Sequence, residues 1–185
     1  LGIHDVFVQG DYPNRIVLNI HESGDRIGNE YIRIDPEKVV AVVFTNRPDS
    51  PARISAPDEN TTAIANHILH FLEREVEEGR LTNSLLPLQA GIGKIANAVL
   101  SGFVNSPFEN LTMYSEVLQD STFELFDSGK LKLASASSIT VSEECHDKFI
   151  SNFESYKDKI VLRPQNISNA AEVIRRLGVI AINTA

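Results

Sequence analysis

From Leu85 to the carboxyl end, short apolar runs alternate with helical runs, and a turn or cap signal separates each from the next. No other feature restricts the fold as much. LLPLQA reads as a strand, Gly91 and Gly93 as a turn, and the residues after them as a helix to about Leu100; a second strand then ends in Glu116. STFELFDSGK reads as a short helix closed by Gly129, and LKLASAS as a strand. Ser142 caps a helix through EECHDKFISNF, IVLRP is a strand, Ser168 caps the helix NAAEVIRRLG, and VIAIN is a strand again. Strands alternating with helices at this spacing predict βαβ units, and so an α/β fold with an open, mainly parallel sheet and flanking helices.

The part before Leu85 is less regular. Ile16, Leu18 and Ile20 alternate as in a half-buried strand, Gly24 and Gly28 mark turns, and Tyr31, Ile32 and Ile34 suggest a further short strand. Asp35-Pro36 opens a turn. VVAVVFT, from Val39 to Thr45, is a continuous β-branched run of the kind that fills a sheet covered on both faces. Residues 46–60, NRPDSPARISAPDEN, carry three prolines and mark a module boundary. Asp58 then caps a helix in which Ile64, Ile68, Phe71, Leu72 and Val76 recur at helical spacing before Gly79 ends it.

Composition removes several functions. Acidic residues outnumber basic ones by 25 to 17, a formal charge of -8, which argues against a nucleic-acid partner. The cluster Glu73, Glu75, Glu77 and Glu78 reads as a solvated helix face. The single cysteine, Cys145, cannot form an internal disulfide or a multi-cysteine zinc site and reads as a half-buried helical thiol. His67 and His70 stand three apart on one helix without an evident carboxylate to complete a metal site, so no metal is expected. No apolar run is long enough to span a bilayer, so no membrane partner is expected. Leu1 in place of methionine, and a carboxyl end in the strand-like GVIAINTA, suggest a piece of something longer.

Glu116 stands where open α/β sheets place reacting groups, at the carboxyl end of a strand beside a glycine turn that opens a helix. YSEVLQD holds no second acid at a spacing suited to a glycosidase-like pair. From the residues alone the favoured reading is an ordinary acidic residue just before the next helix, stabilised by that helix's dipole. GIGKIAN is shorter than a dinucleotide fingerprint and lacks the Ser or Thr that follows a P-loop lysine. It is either a plain tight turn or a place where free N–H groups hold an anion or oxyanion. Arg47, Arg53, Arg163 and Lys94 could meet ligand phosphates, though exposed basic side chains are the simpler account.

LPLQAGIGKIANAVLSG, FENLTMYSEVLQDSTFELFDSGKL, ASASSITVS and VLRPQNISNAAEVIRRLGVIAINTA together resemble the acetyl-CoA hydrolase/transferase family of class I CoA-transferases. GDRIGNEYIRIDPEKVVAVV and SAPDEN resemble the segment joining that family's two similar α/β halves. The resemblance implies that residues 1–57 are the end of the amino-terminal half with its linker, and 58–185 the first part of the carboxyl-terminal half, so that the chain is a fragment of a two-half enzyme. It implies that Glu116, in MYSEVLQD, is the nucleophile that forms an acyl-glutamyl anhydride and then a glutamyl-CoA thioester. It further implies that Gly91, Ile92, Gly93, Lys94 and Ile95 fall in the family's CoA-contacting turn, with the Ile92 backbone N–H as a candidate oxyanion donor, and that Asn169, in ISNAAE, matches an active-site asparagine.

The implied activity is transfer of CoA between short acids, succinate with acetate or propionate. No cofactor is needed, because the CoA thioester enters as substrate. Acetyl-CoA hydrolysis and a non-catalytic CoA-binding module are the competing expectations. A homodimer follows by analogy, in the cytoplasm, or in the mitochondrion of a eukaryote. The family's glycine-rich stretch beyond the VIAIN strand is not in this sequence, so the 185 residues alone are expected to be inactive.

Overall fold

The computed structural model describes residues 2–6, 19–32, 34–47 and 57–183. Its main sheet is built from β1 (Leu88–Ala90), β2 (Leu111–Tyr114), β4 (Leu131–Ala136), β6 (Ile160–Leu162) and β7 (Ile180–Ile182). The order across the sheet is β6-β4-β2-β1-β7, and every neighbouring pair is parallel. Two further short strands, β3 (Val117–Leu118) and β5 (Ser138–Ile139), pair in parallel beyond the carboxyl ends of β2 and β4. The α/β fold with a parallel sheet and flanking helices is therefore as the sequence predicts.

Parallel neighbours need crossovers, and the helices supply them. The chain holds α1 (Glu59–Glu77), α2 (Lys94–Phe103), α3 (Asp120–Asp127), α4 (Glu143–Ser151), α5 (Phe153–Tyr156), α6 (Gln165–Ser168) and α7 (Ala171–Leu177). Asp58 caps α1 as expected: its carboxylate accepts from Thr61 N, and the Thr61 hydroxyl accepts from Asp58 N. Ser142 caps α4 by accepting from Cys145 N at 3.3 Å. α2 runs to Phe103, three residues past the end read from the sequence.

Successive side chains of a strand point to opposite faces, and β2 shows the result. Leu111 and Met113 enter the larger core with Leu88, Val99, Leu100, Phe103 and Ile160. Tyr114 enters a smaller core with Ile20, Ile167, Val173 and Leu177. Both faces of the sheet are thus covered, which a parallel sheet requires.

Three expectations are corrected. Val39–Thr45 forms no strand; Val40 is 98% exposed and Phe44 94%. β-propensity measures fit to a pleated, half-covered surface, and no described strand lies alongside to provide one. Tyr31, Ile32 and Ile34 are likewise exposed and outside any strand. Ser168 does not cap the helix after it: α7 begins behind Ala170 with no side-chain cap, and Ser168 instead ends α6, buried. Of the strand expected around Ile16, Leu18 and Ile20, Ile16 and Leu18 lie outside the described residues, as does most of the proline-rich boundary. Ile20 is fully buried.

Between α3, α4 and α5 an aromatic group forms, with Phe123 edge-on to Phe149 at 5.3 Å and to Tyr156 at 5.4 Å. Cys145 is buried on α4 near it. Burial, reinforced by the nearby Asp120 carboxylate, pushes its thiol up to about 12 from about 9.0. The neutral buried thiol therefore contributes stability that is full below about pH 9 and is lost as pH rises toward 12. Since the thiolate is the reacting form, native Cys145 is expected to react with Ellman's reagent at pH 8 on the order of 100-fold or more slower than in urea. Equal rates would show an open, ionisable thiol. No described helix is long and apolar enough to cross a membrane.

Candidate active site

All five strands of the main sheet point the same way, so their carboxyl ends share one edge. The chain steps from β1 through β2 and β4 to β6, then returns past β1 to set β7 on its other side. A reversal of this kind opens a crevice between the two strands it separates, here β1 and β7. Gly91 and Asn183 stand at their ends. Gly91 N donates to Ile182 O at 3.0 Å, and a Cβ at Gly91 would lie 2.5 Å from Asn183 Oδ1, so a larger residue would collide there. Asn183 and Gln89 exchange two amide hydrogen bonds, at 2.7 and 3.2 Å.

The turn continues into a residue open to solvent and a helix start. Ile92 is 71% exposed, and Gly93, at φ 149°, has a backbone that side chains rarely adopt. No side chain caps α2, which leaves N–H groups of its first turn for water or a ligand. Lys94 is exposed, with Nζ 3.9 Å from Asp58, while Ile95 is half-buried against the larger core.

Glu116 lies between β2 and β3, half-buried. Its carbonyl accepts from Ser137 N at 2.8 Å and Ser138 N at 3.1 Å, which locks the turn to the end of β4. Its neighbours tie it to the glycine turn: Ser115 Oγ donates to Ala90 O at 3.2 Å, and Gln119 Nε2 to Gly91 O at 2.9 Å. The carboxylate faces Gln165, whose Nε2 donates to Glu116 Oε1 at 2.5 Å. Asn169 is exposed at the end of the same short helix, its N–H on Gln165 O at 2.8 Å. Buried polar atoms lacking a partner among the described residues occur on these elements too: Asn97 Oδ1, Ser121 Oγ, Ser137 Oγ and Ser168 Oγ.

No family profile matches the chain. The acetyl-CoA hydrolase of Neurospora crassa is 49% identical over 183 residues, 99% of this chain and 35% of that protein. The succinyl-CoA:acetate CoA-transferase of Clostridium kluyveri is 43% identical over 184 residues, the whole of this chain and 34% of that protein. The chain is thus similar to proteins of the acetyl-CoA hydrolase/transferase kind. It spans about a third of the length of these relatives. RipA from Yersinia pestis matches in structure with a TM-score of 0.64 at 18% identity, over 81% of this chain and 33% of that one, and shares the fold.

In this chain the sequence-predicted Glu116 and Gly91–Gly93 turn come to one sheet edge, with Asn169 just past the end of the short helix that starts there. Gln165, Gln119 and Asn183 are the polar residues that sequence reading passed over. Gln165 directly follows the IVLRP strand, and that position was the available signal. Arg163 is not an exposed ligand contact: it is 3% exposed, with Nη1 on the buried Asp5 carboxylate. Its Nε donates to Ser135 Oγ at 2.7 Å, and Nη2 to Ser23 O and Asp25 O. Arg47 is exposed and Arg53 lies outside the described residues. His70 Nδ1 sits 3.0 Å from Glu73, and among the described residues no three ligand-type side chains gather.

Proposed function

We propose that the protein containing this chain is a CoA-transferase that moves CoA between short carboxylic acids, succinate with acetate or propionate. The observation that carries the reading is the cross-linking of the Glu116 turn to the glycine turn through Gln119 and Ser115. This cross-link supports reading Glu116 as a carboxylate nucleophile that works with the backbone donors of the glycine turn.

One Glu116 oxygen attacks the acyl carbon of the thioester, the C–S bond breaks, and CoA leaves as thiolate. The thiolate then attacks the Glu116 carboxyl carbon of the anhydride. The bond to the attacking oxygen breaks, the donor acid departs with that oxygen, and a glutamyl-CoA thioester remains. An acceptor carboxylate reverses both steps. A carboxylate is a weak nucleophile, so the site must stabilise the oxyanions. The Ile92 N–H is our donor, and one such donor is worth about 2.7–4 kcal/mol. Asn169 is assigned to the same site, Gly91–Ile95 to CoA contact, and the whole protein to a homodimer.

Incubating the full-length protein with succinyl-CoA or propionyl-CoA tests this by peptide mass spectrometry. A CoA-sized adduct on the Glu116 peptide is expected; bound acyl-CoA with no adduct overturns the reading. Net acetyl-CoA hydrolysis is a second reading, favoured by the names of the Neurospora crassa and Schizosaccharomyces pombe relatives. Acceptor dependence separates the two: a transferase accelerates sharply when acetate or succinate is added, and a hydrolase does not.

A further inference from the structure

We propose that Gln165 is the positioning residue of Glu116, fixing one carboxylate oxygen through its side-chain N–H so that the other is presented to the thioester. The inference rests on the reading of Glu116 as nucleophile.

The geometry of the surroundings explains why this amide is well placed. β6 ends at Leu162, and the next residue, Arg163, is buried and held by Asp5, Ser135, Ser23 and Asp25. Pro164 follows, with its restricted φ, and its carbonyl accepts from Ile167 N at 2.9 Å and Ser168 N at 3.2 Å. Gln165 is therefore two residues beyond a fixed anchor and begins a short helix whose first turn is closed. From there Nε2 reaches Glu116 Oε1 at 2.5 Å. On the other side, the Glu116 backbone is held by Ser137 N and Ser138 N. Both partners start from pinned backbone.

A neutral amide suits this role. It fixes the carboxylate by donation without the opposite charge that would depress its basicity and nucleophilicity. The oxygen held by Gln165, Oε1, is then the one retained when the donor acid leaves. In the tetrahedral species formed by thiolate attack on the Glu116 carboxyl carbon, Oε1 carries the negative charge, and the same N–H faces it. The group that aims the nucleophile thus also meets the charge of the second step.

The test uses the full-length protein with two variants. Gln165→Ala removes the amide; Gln165→Glu keeps its volume but replaces the donor with an acceptor. Misplacing a reacting group by about 1 Å can cost on the order of 100-fold, so both variants are expected to lose about 10- to 100-fold in kcat and in adduct formation. KM for acyl-CoA should stay within about twofold, since no ground-state CoA contact is removed. The urea midpoint should be unchanged, because Gln165 is exposed. Wild-type kcat in either variant overturns the proposal. Glu116→Gln in the same assay separates the two failures: if it stays active, the nucleophile assignment falls, and if it is inactive while Gln165→Ala keeps wild-type kcat, only the positioning role falls.

Discussion

Glu116→Gln in the full-length protein is expected to lower kcat on the order of 10⁴-fold or more, the scale set by removing the nucleophile from an acyl-transfer enzyme. The substitution is close to isosteric, and the amide oxygen can still accept from Gln165 Nε2, so folding should be untouched. On the proposed mechanism, what disappears is the anionic oxygen that attacks the thioester. The CoA adduct should vanish from the peptide, while acyl-CoA binding, measured by calorimetry, should persist. Glu116→Asp withdraws the carboxylate by one methylene from a site whose backbone is fixed by Ser137 and Ser138, and about 100-fold loss is expected. A Glu116→Gln protein with undiminished turnover would mean the chemistry runs through another group.

Arg163→Leu is expected to destabilise the fold by about 3–5 kcal/mol, the usual consequence of leaving one member of a buried ion pair alone. Asp5 and the Arg163 side chain are both fully buried, so the remaining carboxylate could not turn to water. Ser23 O, Asp25 O and Ser135 Oγ would lose donors in the same step. Against a typical total of about 5–15 kcal/mol the loss is large. Urea unfolding measures it. The paired replacement Asp5→Leu with Arg163→Leu should cost less than the two single changes added, because neither charge is then stranded. Strict additivity would mean that the two side chains do not interact.

What the sequence reveals about the fold follows from where each signal resides. The β1-to-β7 alternation is legible because periodicity, caps and glycine stops are local, and Asp58, Ser142, Gly129 and Gly79 mark ends close to where the elements close. Val39–Thr45 misleads because an apolar run announces a preference for burial but not the surface that would satisfy it. Arg163 misleads for the reverse reason, since its partner stands 158 residues away and charge alone reads as surface. At the site, Glu116 and Gly91–Gly93 are visible as residue types at a strand end and a turn. The amides of Gln119, Gln165 and Asn183 are invisible because their roles depend on which strand ends become neighbours.

The link from Asp5 to Arg163 also orders events in time. The strand pairs β1–β2 and β2–β4 join elements close in sequence and can assemble early. Asp5 leaves the ribosome ahead of nearly all of this chain, yet its carboxylate waits for Arg163, and β7 adds to β1 later still. During synthesis the segment around Asp5 thus stays unpaired until β6 has formed, and the loop that its pairing closes contains almost the entire sheet. Weakening that closure should speed unfolding far more than it slows folding.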